Sequence, residues 1–276
     1  MTHVKQAAVA ATLVFGAVAL HAATLYGTEF AASTPLYTLD QTSGALGAGA
    51  ASGVDNIGDL ASSGNDTSVW GVRIPSNSLY RFDAATGATL SSVAISGTLT
   101  PAGAPENIVS IAYDAKAGVL YGNSAQSFGG SNNLYTINTG TGVATLVGNL
   151  QVDKMYALAF DSVGGFLYGA SGETSDQSFL WKINPFTATA NSVAALRTAG
   201  NFDLAFRPGD NALFMASSGS NSLYTVDTVT GVTTLVGPYG STTNIAGLAF
   251  AVPEPETYAL MLVGLCAVGC AAGRRR

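Results

Sequence analysis

The stretch Leu204–Gly237, LAFRPGDNALFMASSGSNSLYTVDTVTGVTTLVG, is built from four short apolar runs separated by turn residues. Leu204-Ala205-Phe206 ends at Pro208-Gly209-Asp210-Asn211, and Leu213-Phe214-Met215 ends at the polar loop Ser217-Ser218-Gly219-Ser220-Asn221. Leu223-Tyr224-Thr225-Val226-Asp227 then alternates apolar and polar side chains, the period of a half-buried strand. Its Asp opens a turn, Asp227-Thr-Val-Thr-Gly231, and a fourth strand follows through Val232 to Gly237. An Asp there bonds its own backbone and the Gly supplies a positive φ. Four strands joined by tight turns are the unit of an antiparallel sheet.

Working outward, the same three patterns recur in fixed order. The first strand is repeated at Ile111-Ala112-Tyr113, Leu158-Ala159-Phe160 and Leu248-Ala249-Phe250, with a degenerate copy near Ile57-Gly58-Asp59-Leu60. The second, Leu-Tyr-Gly or a variant, starts at Leu25, Val69, Leu120, Leu167 and Leu213. The third starts at Leu36, Leu79, Leu134, Leu180 and Leu223, with spacings of 43, 55, 46 and 43 residues. Four strands per roughly 45 residues is the period of a β-propeller blade. No segment of the body carries a helical period. The body starts at Leu25-Tyr26-Gly27, without a first strand, and ends in a spare first strand, Ile245 to Phe250. A ring closed by pairing the last strand into the first blade accounts for both ends. The expected fold is therefore an all-β, five-bladed propeller over residues 24–251, closed by its C-terminal strand.

Composition narrows the chemistry. The chain of 276 residues is 47% hydrophobic and only 10% charged, with 33 glycines. Fifteen of its seventeen acids but only seven of its eleven bases lie between Thr24 and Val252, so that stretch carries about −8. A phosphate backbone needs clustered Lys and Arg, so nucleic acid is not an expected partner. The only histidines are His3 and His21, and the only cysteines are Cys266 and Cys270. The body therefore has no Cys nucleophile, no imidazole or thiolate metal site, no Ser-His-Asp triad and no disulfide.

The two ends carry separate signals. His3 and Lys5 precede the apolar run Ala7 to Leu20 and the small residues Ala22 and Ala23, the layout of a secretory signal peptide over residues 1–23. Cleavage is expected after Ala22 or Ala23. At the other end, Val252-Pro253-Glu254-Pro255 precedes an uncharged span, Tyr258 to Gly273, and then Arg274-Arg275-Arg276. That span suits a short transmembrane helix, with the arginines as a cytoplasmic stop. Pro253 and Pro255 keep the backbone extended, open to an enzyme that binds strands.

Pro-Glu-Pro, an apolar span and a terminal Arg cluster, in that order, resemble the PEP-CTERM sorting signal of Gram-negative bacteria. The resemblance covers residues 252–276. It implies export by the Sec machinery, transient membrane anchoring by the C-terminal helix and processing by exosortase, a membrane-embedded cysteine protease or transpeptidase. It also implies a host that makes exopolysaccharide and biofilm. The body loosely resembles propellers with a Leu-Tyr-x-Ile-Asp-x-x-Thr-Gly repeat, some of which are quinoproteins. Its only tryptophans are Trp70 and Trp181, too few to dock every blade as in those enzymes, so no quinone cofactor is expected.

Remaining chemistry rests on carboxylates. Asp40, Asp83 and Asp227, with Asn138 and Asn184, recur at one repeat position and read as turn caps. Paired carboxylates could serve as acid and base; among the non-recurrent acids Asp203 and Glu106 are candidates, Asp203 because its strand would border the channel. Tyr37, Tyr80, Tyr135 and Tyr224 repeat in register and are expected to pack between blades rather than to stack on sugars. Calcium is compatible with the abundant oxygen ligands, but there is no Asp-x-Asp-x-Asp loop. Gly129-Gly130-Ser131-Asn132-Asn133 and Ser217 to Asn221 read as turns. The expected function is a non-enzymatic surface or extracellular-matrix propeller that binds exopolysaccharide or another envelope component, with no catalytic residue and no cofactor. The alternative is a secreted carbohydrate-active hydrolase with paired carboxylates in the channel.

Overall fold

The computed structural model describes residues 23–252, apart from 33, 65, 101, 126–128, 173–177, 199, 201 and 241–243. Alternating apolar side chains and Gly, Asn or Asp turns divide these residues into twenty strands in five four-stranded antiparallel sheets. From the axis outward, blade 1 is β20 (Ile245–Ala251), β1 (Thr24–Glu29), β2 (Pro35–Leu39) and β3 (Leu46–Ala51). Blade 2 is β4 (Ile57–Ser62), β5 (Ser68–Arg73), β6 (Ser78–Asp83) and β7 (Thr89–Ala94). Blade 3 is β8 (Ile108–Asp114), β9 (Val119–Ser124), β10 (Asn133–Ile137) and β11 (Ala144–Asn149). Blade 4 is β12 (Met155–Asp161), β13 (Phe166–Ser171), β14 (Phe179–Ile183) and β15 (Ala190–Ala195). Blade 5 is β16 (Phe202–Phe206), β17 (Leu213–Ser217), β18 (Ser222–Val226) and β19 (Thr233–Pro238).

The ring closes as the repeat count requires. β20 pairs antiparallel with β1, Leu25 opposite Phe250 and Thr24 opposite Ala251, so the innermost strand of the first blade comes from the end of the body. Both chain ends leave the body side by side, at the C-terminal ends of the inner strands. The 55-residue spacing between the second and third repeats reflects the connection from β7 to β8. There Leu99 bridges Pro105 and buried Glu106 holds the loop against Ser131, Asn133 and Tyr135.

Five apolar clusters lie between neighbouring blades rather than one at the centre. At four of the five junctions the middle residue of the Leu-Tyr-Gly motif meets the third residue of the next blade's Leu-Ala-Phe motif. Trp70 contacts Tyr113, Tyr121 stacks on Phe160, Tyr168 meets Phe206 edge-on, and Phe214 meets Phe250. Such pairs contribute about 0.5–1.5 kcal/mol each beyond area burial. The fifth place breaks the ring: blade 2 has Ser62 where the other inner strands have an aromatic residue.

The Thr-Gly turns serve a second purpose. A Cβ on Gly142 (φ +73°) would lie 2.0 Å from the Ala94 carbonyl of the preceding blade, and one on Gly87 (φ +74°) would lie 2.6 Å from the Ala51 carbonyl. Glycine is thus required both for the left-handed turn and for its close approach to the outer strand of its neighbour. Ala188 takes this place in blade 4 at φ 58°, and there the facing residue is glycine, Gly148.

Candidate functional site

The inner strands hold two unlike halves. Toward their C-terminal ends they present matching residues: Leu60, Ile111, Leu158, Leu204 and Leu248, then five alanines, then Ser62, Tyr113, Phe160, Phe206 and Phe250. These surround a cavity of only about 50 Å³. Toward the N-terminal ends the pairing of inner to second strand slips by one residue in four blades. Register shifts fall between Ile57 and Asp59, Ile108 and Ser110, Met155 and Ala157, and opposite Thr28/Glu29 in β20. The extra residues are Gly58, Val109, Tyr156 and Ala246. A β-bulge kinks its strand and re-aims a side chain, and all four bulged residues line one axial cavity of about 250 Å³. Glu29, Phe30, Ile74, Ser218, Asn244 and Ile245 complete its wall. Phe30 is 47% exposed, an aromatic face free for contact at the rim.

Directly beneath the bulged residues lies a layer with Asp59, Ser110, Ala157, Asp203 and Gly247 at equivalent positions. Inner strands expose one edge to the axis, and its buried N–H groups need acceptors. Asp59 supplies two: its carboxylate accepts from Leu60 N at 2.5 Å and from Ile111 N of the next blade at 2.7 Å. Asp203 accepts from Leu204 N at 2.7 Å and from Leu248 N of blade 1. The two aspartates are themselves hydrogen-bonded across the axis, and neither is exposed at all. Gly247, the blade 1 residue between them, has no side chain to intrude. Burial pushes the Asp59 carboxyl above the usual range, and burial and then the Asp59 charge push Asp203 up as well, so the pair as a unit holds a proton more tightly than exposed carboxyls do.

The two acids expected from sequence are not brought together. Asp203 partners Asp59, whereas Glu106 is tied to Ser131 N, Asn133 Nδ2 and the Tyr135 hydroxyl. Tyr135, its pKa pushed up to about 12 by burial and then by Glu106, stays neutral there. Asp59 was legible as a partner: Asp59-Leu60-Ala61 and Asp203-Leu204-Ala205 are the only Asp-Leu-Ala triplets, and both open an inner strand. Glycosidase carboxyls stand ~5–9.5 Å apart to admit a sugar or a water, and two carboxyls in direct contact leave no such gap.

Tyr37, Tyr80, Tyr135 and Tyr224 pack in the clusters between blades. Asp40 is a turn cap, its carboxyl held down at about 2 by the Thr42 hydroxyl, the Thr42 and Ser43 amides and the Ser43 hydroxyl. Asp227 is lowered in the same way by the Thr230 and Val229 amides. Asp83 and Asn138 receive the equivalent bonds from Thr86 N and Thr141 N, and Asn184 from Phe186 N. Of the polar loop Ser217 to Asn221, Ser218 reaches the axial cavity. No group of three or more His, Cys, Asp or Glu that could hold a metal ion occurs among the described residues. Ala23 is the first of those residues and accepts a bond from Gln41 Nε2 at 2.7 Å, and Val252 is the last. The expected cleavage residue Ala22, the motif residues Pro253, Glu254 and Pro255, the span Tyr258 to Gly273 and Arg274, Arg275 and Arg276 lie outside the described residues. Among the described residues no helix is long and apolar enough to cross a membrane.

A chain in the crystal structure of a nidogen/laminin complex superposes with a TM-score of 0.56, covering 84% of this chain and 99% of that one at 14% identity. At that identity the likeness shows the fold alone. No curated protein matches the chain. Residues 251–276 match the PEP-CTERM protein-sorting motif, which implies processing by exosortase and export to the cell envelope or surface. Residues 96–255 match the family described as a repeat of unknown function (DUF6923), and with more than half of its length inside that match the chain belongs to this family.

Proposed function

We propose that the mature protein is a non-enzymatic binding propeller of the cell surface or extracellular matrix, and that its axial pocket receives the end of an exopolysaccharide chain. The observation that carries this reading is the placement of the pocket. It opens at the N-terminal ends of the inner strands, while Thr24 and Ala251, the two ends of the body, pair at the opposite rim. A C-terminal tail held at the membrane therefore turns the pocket outward. Its walls suit a sugar: Phe30, Ile74 and Val109 offer apolar contact to a ring face, and Glu29, Ser218 and Asn244 offer hydrogen-bonding groups. A cavity of about 250 Å³ matches one or two sugar units rather than a long chain.

The export route belongs to the same reading. Sec-dependent export removes residues 1–23, the C-terminal helix holds the precursor in the inner membrane of a Gram-negative host, and exosortase cuts near Val252 to Pro255. Binding of host exopolysaccharide oligosaccharides is measured by calorimetry on the wild type and on Phe30→Ala and Asn244→Ala, each expected to weaken binding about tenfold. Unchanged affinity in both variants would place the site elsewhere. Release of reducing sugar by the wild type would favour the hydrolase instead. Intact masses with and without the exosortase test the route: the same full-length mass in both would mean an ordinary anchor.

A further inference from the structure

We infer that the axial pocket selects a sugar unit that carries a free amine, a hexosamine without its N-acetyl group. Glu29 receives the ammonium, and the apolar wall of Ile74, Val109 and Tyr156 receives a face of the ring. The inference rests on the reading of the pocket as an exopolysaccharide site and adds the class of sugar.

The pocket is divided in two. On the side of blades 2, 3 and 4, Ile74 and Val109 are buried with Ala125 in a small apolar cluster against which Tyr156 packs. On the side of blades 5 and 1 the polar groups gather. Glu29 ends β1, Asn244 precedes β20 of the same blade, and Ser218 follows β17. Glu29 stands opposite Ile245 where β1 pairs with β20, which brings it beside Asn244. A pocket apolar on one wall and polar on the other takes a ligand with the same division. A pyranose ring has it, with C–H groups on its faces and polar groups around its edge.

Charge decides which group the ring turns toward Glu29. Among the described residues Glu29 is the one charged side chain that lines the cavity, and it is half-buried. Its carboxylate accepts from the Tyr37 hydroxyl at 3.3 Å through Oε1, which leaves Oε2 for a ligand. None of the seven Lys and Arg residues of the body lines the cavity. Arg73, the neighbour of Ile74, is held by the two carboxylate oxygens of Asp55 at 2.8 and 3.0 Å. The layer beneath adds Asp59 and Asp203 and no base. An ammonium donor makes a charge-assisted hydrogen bond to Glu29, roughly twice as strong as the bond a neutral acetamide would make. Phe30, exposed at the rim, adds a ring face that attracts a cation. A uronate meets Glu29 as a like charge, so the same wall rejects acidic sugars.

The test is calorimetry on the full chain in detergent, in mildly acidic buffer that keeps a hexosamine amine protonated. A glucosamine disaccharide, its N-acetylated counterpart and a disaccharide containing glucuronate are compared. The amine form is expected to bind about tenfold tighter than the acetylated form and to weaken as salt is raised, and the uronate form is expected not to bind. Glu29→Gln keeps the shape of the side chain. It should cost the amine form about tenfold and leave the acetylated form unchanged, a split that a general loss of the pocket would not produce. Equal affinity of the wild type for the amine and acetylated forms, with both weakened in Phe30→Ala, would overturn the inference and leave the sugar site standing. Binding of none of the three would overturn both. Putrescine, a diamine without a ring, separates the charge from the sugar. Binding as tight as that of the glucosamine disaccharide would show a general amine pocket and overturn the assignment to a sugar.

Discussion

The two halves of the axis are built by the same five strands and differ in one respect. In the C-terminal half the five repeats agree: Leu or Ile, then Ala, then four aromatic residues and Ser62. In the N-terminal half they diverge, with Gly58, Val109, Tyr156 and Ala246 at the bulges above Asp59, Ser110, Ala157 and Gly247, and only the aspartates of blades 2 and 5 match. Fivefold repetition makes a closed apolar plug in which each residue needs the same space. Departure from repetition opens a pocket and gathers polar groups that no single blade could hold. The lesson is that in a propeller the scaffold is written in what recurs and the site in what does not.

The sharpest way to break this contrast is to damage the repeated half. Leu158 is 1% exposed within the plug, and Leu158→Ala should lower stability by about 2–5 kcal/mol through lost burial and a cavity. Chemical denaturation measures the loss, and ligand affinity in the folded fraction should hold. A variant that loses the ligand without losing stability would show that the halves are not separate. A smaller effect is expected from the irregular half. Asp59 and Asp203 both titrate above their unfolded range, so between that range and their raised values the native state holds more protons than the unfolded one. Stability is then greatest in acid and falls as pH rises past the ordinary carboxylate range towards neutrality. Asp203→Asn should flatten that slope; an equally steep slope in the variant would mean that other groups cause it. The smallest effect concerns the one gap in the plug. Ser62→Phe completes the aromatic ring beside Tyr26 and should raise the melting temperature by ~2–4 °C, about 1 kcal/mol. A drop would show that the 1–2 junction has closed over the space.

Much of this was legible in the residues. The Leu-Ala-Phe, Leu-Tyr-Gly and Leu-Tyr-Thr-Val-Asp runs name the first three strands of each blade, because alternation along a strand records which side chains meet the neighbouring blade. The strand missing before Leu25 and spare at Ile245 foretold the closure between β1 and β20. The turn role of Asp40 and Asp227 followed from their recurrence. Of the two non-recurrent candidate acids, Asp203 lies at the axis as its place in a first strand implies, whereas Glu106 holds the long connection before β8. Asp59 was overlooked because its strand is the degenerate copy, with Ser62 in place of an aromatic residue.

By itself the sequence determined the blade count, the order of strands, the ring closure and the sorting tail, since each rests on local periodicity or on a contiguous motif. Only the tertiary structure decided which residues face the axis. A one-residue slip at Gly58, Val109, Tyr156 and Ala246 leaves no trace in composition, yet it turns four side chains into a common pocket. Likewise Asp59 and Asp203 stand 144 positions apart in the chain and meet because blades 2 and 5 flank the glycine of blade 1. Local alternation fixes a strand; the convergence of five strands on one axis is a property of the closed ring, and no stretch of the chain contains it.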